Sequence, residues 1–428
     1  MRFLVLALAA VTFIPAGGAG GGSFLAPNEL SNHADPALLR TSNGVIVAYD
    51  VESTGSVNVI DAGGTTHTVV SGWPAVSDPQ LVRKPDGTIF LYFGGSTPDL
   101  KTQGALRFAS IDGGASWSGP VKTNQASTIG DVQASAIRRD GTPVFSQDGT
   151  GFLNVYQGDN GATLQNDFTS CCGYDESLAV DTSGLAQLAL WSNATSKPGY
   201  LYEILGDSGA PVGAAVDLAA GTDAQALPAI NRVPLVADGA GNTSMAWPGA
   251  RHVTIAALGA GKLRRKIAIR TAGAPRQLAL AVEPDGGKLW VVWTEGKYVW
   301  ATRLRDAAHG AAPVVVRTAL PAGRTPYALE TAGLAGRVRA VVNVSGSPGN
   351  SLWRTELIPG LAAHASLKPK PTVKVRDDTA PVKGATLRGG GKVAHTNGKG
   401  TASLAGFKRH VLVKVTKPGY MGTSFRVP

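Results

Sequence analysis

A short unit recurs along this chain: an apolar stretch, a tight turn ending in glycine, and a second stretch rich in β-branched and aromatic residues. It reads Ala37-Leu-Leu-Arg-Thr-Ser-Asn-Gly44-Val-Ile-Val-Ala-Tyr49 and then Gln80-Leu-Val-Arg-Lys-Pro-Asp-Gly87-Thr-Ile-Phe-Leu-Tyr92. It returns from Ser135 to Gly141, from Ser177 to Gly184, and around Gly241, Gly286 and, most weakly, Gly336. Successive turn glycines lie 43 to 57 residues apart, room for four short strands per unit. A repeat of this period cannot bury its apolar faces alone and must stack on its neighbours. Seven such units predict an all-β chain built as a seven-bladed β-propeller, with six blades as the alternative because the last unit is degenerate.

Residues 1–19 carry one basic residue, a short apolar run and an exit of small residues, the pattern of a secretory signal peptide. That run is too short to span a bilayer, so the expectation is an exported chain, extracellular or associated with the cell wall, with no transmembrane anchor. The 20–367 stretch holds the repeats. A Pro-Lys stretch, Lys368-Pro-Lys-Pro371, then separates them from a small C-terminal unit, 368–428. Charge divides at the same place. From Lys368 onward nine Lys and four Arg face only Asp377 and Asp378, a balance of +11 against +10 for the whole chain. The repeats are therefore nearly neutral, and the tail is either a solvated basic surface or a surface for an anionic partner.

Within the second repeat, Ser110-Ile-Asp112-Gly-Gly114-Ala-Ser-Trp117 turns sharply and resumes at an aromatic residue. Ser110, Asp112, Gly114 and Trp117 fill each position of the Asp-box (BNR repeat) of sialidase-like β-propellers, which this chain resembles. In that family the box joins the two outer strands of a blade on the face away from the binding funnel, so it marks a fold and not an activity. The tail, with Val373-Lys-Val375, Pro381-Val-Lys-Gly384, Thr396-Asn397 and Lys417-Pro-Gly-Tyr420, resembles the carboxypeptidase regulatory-like (transthyretin-like) β-sandwich. In that family the module carries no chemistry of its own. A unit this small has a marginal core and is expected to dock on the propeller.

Aligning the repeats on their turn glycines exposes a second pattern. Asp35, Asp78 and Asp175 stand nine residues before their glycines and Asp131 ten before its own, while later units hold Arg232, Arg276 and Tyr327 there. If these units are inner strands, an acidic arc faces two arginines and a tyrosine at one mouth of the channel, a polar ligand site. The competing expectation is that each Asp hydrogen-bonds its own backbone, as Asp does in turns, and Asp35-Pro36 and Asp78-Pro79 favour it. Sialidase chemistry uses three arginines, a Tyr nucleophile activated by Glu, and an Asp acid/base. Its first arginine belongs to a Phe/Tyr-Arg-Ile-Pro motif, where this chain reads His33-Ala-Asp35-Pro36. Asp35 there repels a carboxylate substrate. Asp175, Glu176 and Tyr327 are the candidate catalytic groups if the funnel carboxyls act on a neutral glycan.

Cys171 and Cys172 are adjacent, and export leaves them no other thiol in the chain, so a vicinal disulfide is expected. Two readings of it stand: an apolar platform at the funnel mouth, or a staple of a turn. The seven His are scattered without ligand spacing, and neither a phosphate-binding glycine loop nor a dinucleotide fingerprint is present, so no metal and no cofactor is expected. The leading expectation is a non-catalytic binding propeller for extracellular glycan or anionic cell-envelope polymer, with no nucleic-acid partner. A glycoside hydrolase or lyase is the first alternative, and an envelope scaffold for a protein partner the second.

Overall fold

A computed structural model describes residues 12–13, 22–30, 35–123, 130–149, 152–158, 162–165, 173–192, 199–206, 212–213, 215–219, 232–310, 314–347, 349–367 and 370–428. Cys171 and Cys172 lie outside them, as does nearly all of 1–19. The chain is all-β; no helix among the described residues is long and apolar enough to cross a membrane.

Residues 23–357 form seven four-stranded antiparallel sheets among the described residues. The first runs Ala37–Thr41, Gly44–Val51, Ser56–Ile60 and Thr66–Val70 in simple up-and-down order. The inner strands of the next six are Ala75–Arg83, Val132–Ile137, Gly173–Val180, Leu235–Ala237, Arg276–Val282 and Thr325–Leu334. Each inner strand touches the next, and the seventh touches the first, so the ring is closed around a central channel. The sixth sheet also carries a two-residue parallel strand, Thr12–Phe13, at its edge.

The seventh sheet explains why its repeat is weak in sequence. Only three of its strands follow in order; the outermost is Ser23–Leu30, from the chain start, paired antiparallel with Asn350–Leu357. This strand ties the two ends of the ring together through backbone hydrogen bonds, with Ala26 packed beside Tyr49 and Leu352 in the core between the seventh and first sheets.

Second strands are buried on both faces: every residue of Ile89–Ser96 and of Leu289–Glu295 is buried. Outer strands such as Lys262–Arg270 alternate instead, because one face meets solvent. Rings fill the wedge between neighbouring sheets. Tyr92, Phe145 and Tyr156 form a stack across the second and third, with centroids 5.1 and 5.2 Å apart. Such pairs contribute about 0.5–1.5 kcal/mol each beyond their buried area.

The recurrent glycines sit where each inner strand hands over to the second. Gly87, Gly141, Gly184, Gly241, Gly286 and Gly336 have φ between +68° and +94°, a region that L side chains avoid. The Asp before them closes the turn. Asp86, Asp140 and Asp238 each accept the backbone N–H two residues on, at 2.8 to 2.9 Å. The Ser110–Trp117 turn is held similarly: Ser110 Oγ accepts the Gly114 N–H at 2.8 Å, Asp112 Oδ1 accepts the Ser116 N–H at 3.0 Å, and Trp117 Nε1 donates to the Gly114 carbonyl at 3.0 Å.

Beyond the ring, two small sheets share one core that includes Leu361, Val373, Val375, Leu387, Val413 and Val415. One contains Ala362–Ser366, Thr372–Asp377, Ala380–Pro381 and Thr401–Ser403; the other contains Lys392–His395, Thr386–Gly389, Leu412–Thr416 and Thr423–Arg426. Ala362–Ser366 and Thr372–Asp377 pair antiparallel with each other. This unit docks on the sixth and seventh sheets at the turn-glycine end of the ring. Met421 enters their apolar core. Arg303, only 5 % exposed, pairs with Glu283 at 2.8 Å and with Asp377 of the C-terminal unit, and stacks near Tyr420.

Arg303→Met leaves two buried carboxylates without their cation, and breaking such a pair costs about 3–5 kcal/mol. The variant should loosen the C-terminal unit, and limited proteolysis should remove it under conditions that leave the parent chain intact. Equal protease resistance of parent and variant would contradict this docking.

Candidate functional site: an acidic mouth on the central channel

Because the inner strands run the same way around the ring, their starts gather at one end of the channel and their turn glycines at the other. A cavity of about 220 Å³ lies between, lined from all seven inner strands, with Gln80, Ser135, Arg232 and Glu330 among its polar residues. The far end is partly closed by Arg40, whose guanidinium donates to the carbonyls of Val282 at 2.7 Å and Gly333 at 3.0 Å. The C-terminal unit sits at that same far end, so the strand-start mouth is left open by it.

Five of the inner strands carry an irregularity at the mouth. Pairing is interrupted between Ser77 and Gln80, Val132 and Ala134, Tyr174 and Ser177, Arg276 and Leu278, and Pro326 and Ala328. An extra residue in one strand bends it and re-aims the side chain, a device found at rims and next to sites. The bulged residues include Asp78, Asp175 and Tyr327. Asp78 has φ +39° and Asp175 φ +57°, conformations that Asp tolerates better than most side chains.

The mouth draws several carboxyls into one another's fields. Burial pushes the Asp78 carboxyl well above its ordinary range, and Asp35, Asp131 and Asp50 push it further, with Arg232 opposing. Asp50, 1 % exposed, is raised to about 8, first by burial, then by Glu52, with Asp35 and Asp131 adding to it. Tyr327 is raised as well, by burial and then by Asp35, Asp78 and Glu52. Arg232 is committed to Glu330, Nη1 to Oε1 at 2.6 Å; burial raises the Glu330 carboxyl while Arg232 draws it down.

Asp35, Asp78, Asp131, Arg232 and Tyr327 therefore share one electrostatic neighbourhood. Asp175 occupies the matching bulge of the fourth sheet, where its carbonyl accepts the Val233 N–H at 2.7 Å. Its neighbour Glu176 is fully buried. Arg276 is exposed and lines a separate cleft between the sixth and seventh sheets. The Asp78 carboxyl stands at the bulge of its inner strand, in the field of Asp35, Asp131 and Asp50. Gln80 Nε2 and Asp50 Oδ1 are buried without a hydrogen-bond partner among the described residues. Among the described residues, no three His, Cys, Asp or Glu side chains come together closely enough to ligate one metal ion.

Asp50, Glu52 and Glu330 escape an alignment on residues ahead of the turn glycines. Asp50 ends a second strand, Glu52 follows it, and Glu330 lies mid-way along an inner strand. The available signal was the Asp50-Val-Glu52 pair closing an apolar strand, a costly place for charge.

No protein-family model matches the chain, and no curated protein matches it. Solved structures do. A streptogramin B lyase is similar over 78 % of this chain and 97 % of its own, at 11 % identity and a TM-score of 0.51. Virginiamycin B lyase from Staphylococcus aureus is similar over 77 % and 97 %, at 12 % identity and 0.48. A protein of unknown function from Dyadobacter fermentans is similar over 81 % and 100 %, at 13 % identity and 0.47. At such identity the first of these likenesses carries architecture alone, an all-β, propeller-like fold.

Asp50 gives the site a pH signature. Its folded pKa lies above the value near 3.9 of an unfolded Asp, so its favourable contribution is complete below about pH 4 and lost as pH rises through about 8. Asp50→Asn removes that loss and should stabilise the chain by about 3–6 kcal/mol at pH 8, with the gain vanishing toward pH 4. Thermal unfolding of both chains across this range checks it; a gain independent of pH would contradict the assignment.

Proposed function

We propose that this protein is an exported, non-catalytic binding propeller whose acidic mouth recognises a glycan. We read the seven sheets as seven blades, the Ser110–Trp117 turn as a sialidase-type Asp-box, and the C-terminal unit as a carboxypeptidase regulatory-like β-sandwich. The observation that carries the reading is the Asp78 carboxyl: it stands at a bulge at the channel mouth and is held toward its protonated form by burial and then by the neighbouring acids Asp35, Asp131 and Asp50. A protonated carboxyl both donates and accepts, as sugar hydroxyls do, and Gln80 adds a donor below it. At about 220 Å³ the channel is smaller than the ~300–1,000 Å³ of sites that enclose a whole drug-sized ligand. A chain ligand would enter by one residue.

Asp78→Asn should weaken glycan binding at least tenfold on an array followed by titration calorimetry, while its melting temperature holds or rises. Loss of thermal stability with binding intact would make the carboxyl structural and end this reading. One observation favours an enzyme as the second reading: a carboxyl that keeps its proton beside other carboxyls is the acid half of a glycoside-cleaving pair. Release of reducing ends from the bound glycans, lost in Asp78→Asn, would decide for it.

The basic tail supports a second contact, to anionic envelope polymer. Lys392, Lys399 and Lys408 are exposed on it, away from the acidic mouth. Changing all three to Glu in the full chain should abolish retention on purified anionic wall polymer at low salt and leave the melting temperature unchanged. Unchanged retention would contradict the proposal.

A further inference from the structure

The mouth has a basic annex. Between the sixth and seventh sheets, at the same end of the ring, a cleft of about 730 Å³ is lined by Arg276, Glu295, Lys297, Tyr298, Trp300 and Arg317. It adjoins the channel through Thr325 and Pro326, the residues just ahead of the bulged Tyr327. Its volume falls within the range that encloses a ligand of drug or disaccharide size.

The chemistry of this cleft is opposite to that of the channel. Arg317 sits over two rings that meet edge to face, its guanidinium carbon 4.2 Å from the Tyr298 centroid and 4.9 Å from that of Trp300. Cation–π contact with both rings holds the guanidinium in place at the cleft. Its Nε is buried without a hydrogen-bond partner, and the side chain makes no ion pair among the described residues. Lys297 and the exposed Arg276 add two more cations at the rim. The single acid, Glu295, is already engaged: it accepts from the Gly273 N–H and from Trp293 Nε1 at 3.3 Å. Three cations therefore face one occupied carboxylate, beside the half-buried ring of Tyr298.

We propose that this cleft binds a uronic acid residue of an acidic glycan, its carboxylate paired with Arg317 and its sugar face laid along Tyr298. The proposal rests on the glycan reading above and adds to it a chemical class: the channel takes the hydroxylated, uncharged residue, and the cleft takes the charged one beside it. A planar carboxylate matches the paired N–H groups of the guanidinium bidentately. Acid groups in the channel, in turn, repel a second uronate there.

The test uses trigalacturonic acid and neutral galactotriose as probes in titration calorimetry on the full chain, with Arg317→Met, Arg276→Gln and the parent. Arg276 is exposed, so its variant stays folded even if Arg317→Met does not. The parent should bind trigalacturonic acid more tightly than galactotriose, with an advantage that shrinks as salt rises. Arg317→Met and Arg276→Gln should each lose at least tenfold in uronate affinity while leaving galactotriose binding unchanged. Uronate binding equal to the parent's in both variants overturns the proposal. So does a parent that binds galactotriose but shows no uronate advantage, and that result leaves the glycan reading standing. A parent that binds neither trisaccharide overturns the proposal and counts against the glycan reading as well.

Discussion

A four-stranded sheet whose inner and second strands are apolar on both faces is stable only between two neighbours, and seven such sheets satisfy one another only if the ring closes. Here closure depends on one strand. Ser23–Leu30 supplies the outer edge of the seventh sheet, against Asn350–Leu357, and so holds the seventh and first sheets in contact. Everything at the channel follows from that closure. The inner strands can present their starts to a common mouth only because no wedge of the ring is missing.

Closure also sets the electrostatics. Side chains that would be harmless at the rims of separate sheets become crowded when seven strand starts converge. Burial raises the proton affinity of Asp50 and Asp78, and Asp35 and Asp131 add to it from the neighbouring strand starts. The cost of keeping such groups is a stability that falls with rising pH, and the bulges at Asp78, Asp175 and Tyr327 add local strain in the same place. Strain and desolvated acids are thus concentrated at one rim, the combination on which the proposed binding site rests.

Much of this was legible in the residues, and the boundary of legibility is physical. Turn glycines and the Asp before them announce themselves, because the backbone at those positions admits few alternatives; each of the seven glycines stands at the hand-over from an inner to a second strand. Alignment on those glycines also located Asp35, Asp78, Asp131, Arg232 and Tyr327, which share one neighbourhood. It placed Arg276 in the same ring, whereas its side chain lines the next cleft. A sequence offset of one residue at a bulge, between Arg276 and Leu278, is enough to turn a side chain away. The partner of Ser23–Leu30 lies more than 300 residues along the chain, and no local pattern encodes that pairing. Asp50, Glu330 and the stacked Arg317 belong to the same class: their roles depend on what another sheet brings to them.

The central claim is that the channel mouth holds a protonated carboxyl open to a ligand. Infrared difference spectroscopy of the parent against Asp78→Asn at neutral pH tests it most directly. The account predicts a protonated-carboxyl carbonyl stretch in the parent that is absent from the variant and that shifts when a bound glycan is added. A parent spectrum without that band, or a band unmoved by a glycan that demonstrably binds, would contradict it.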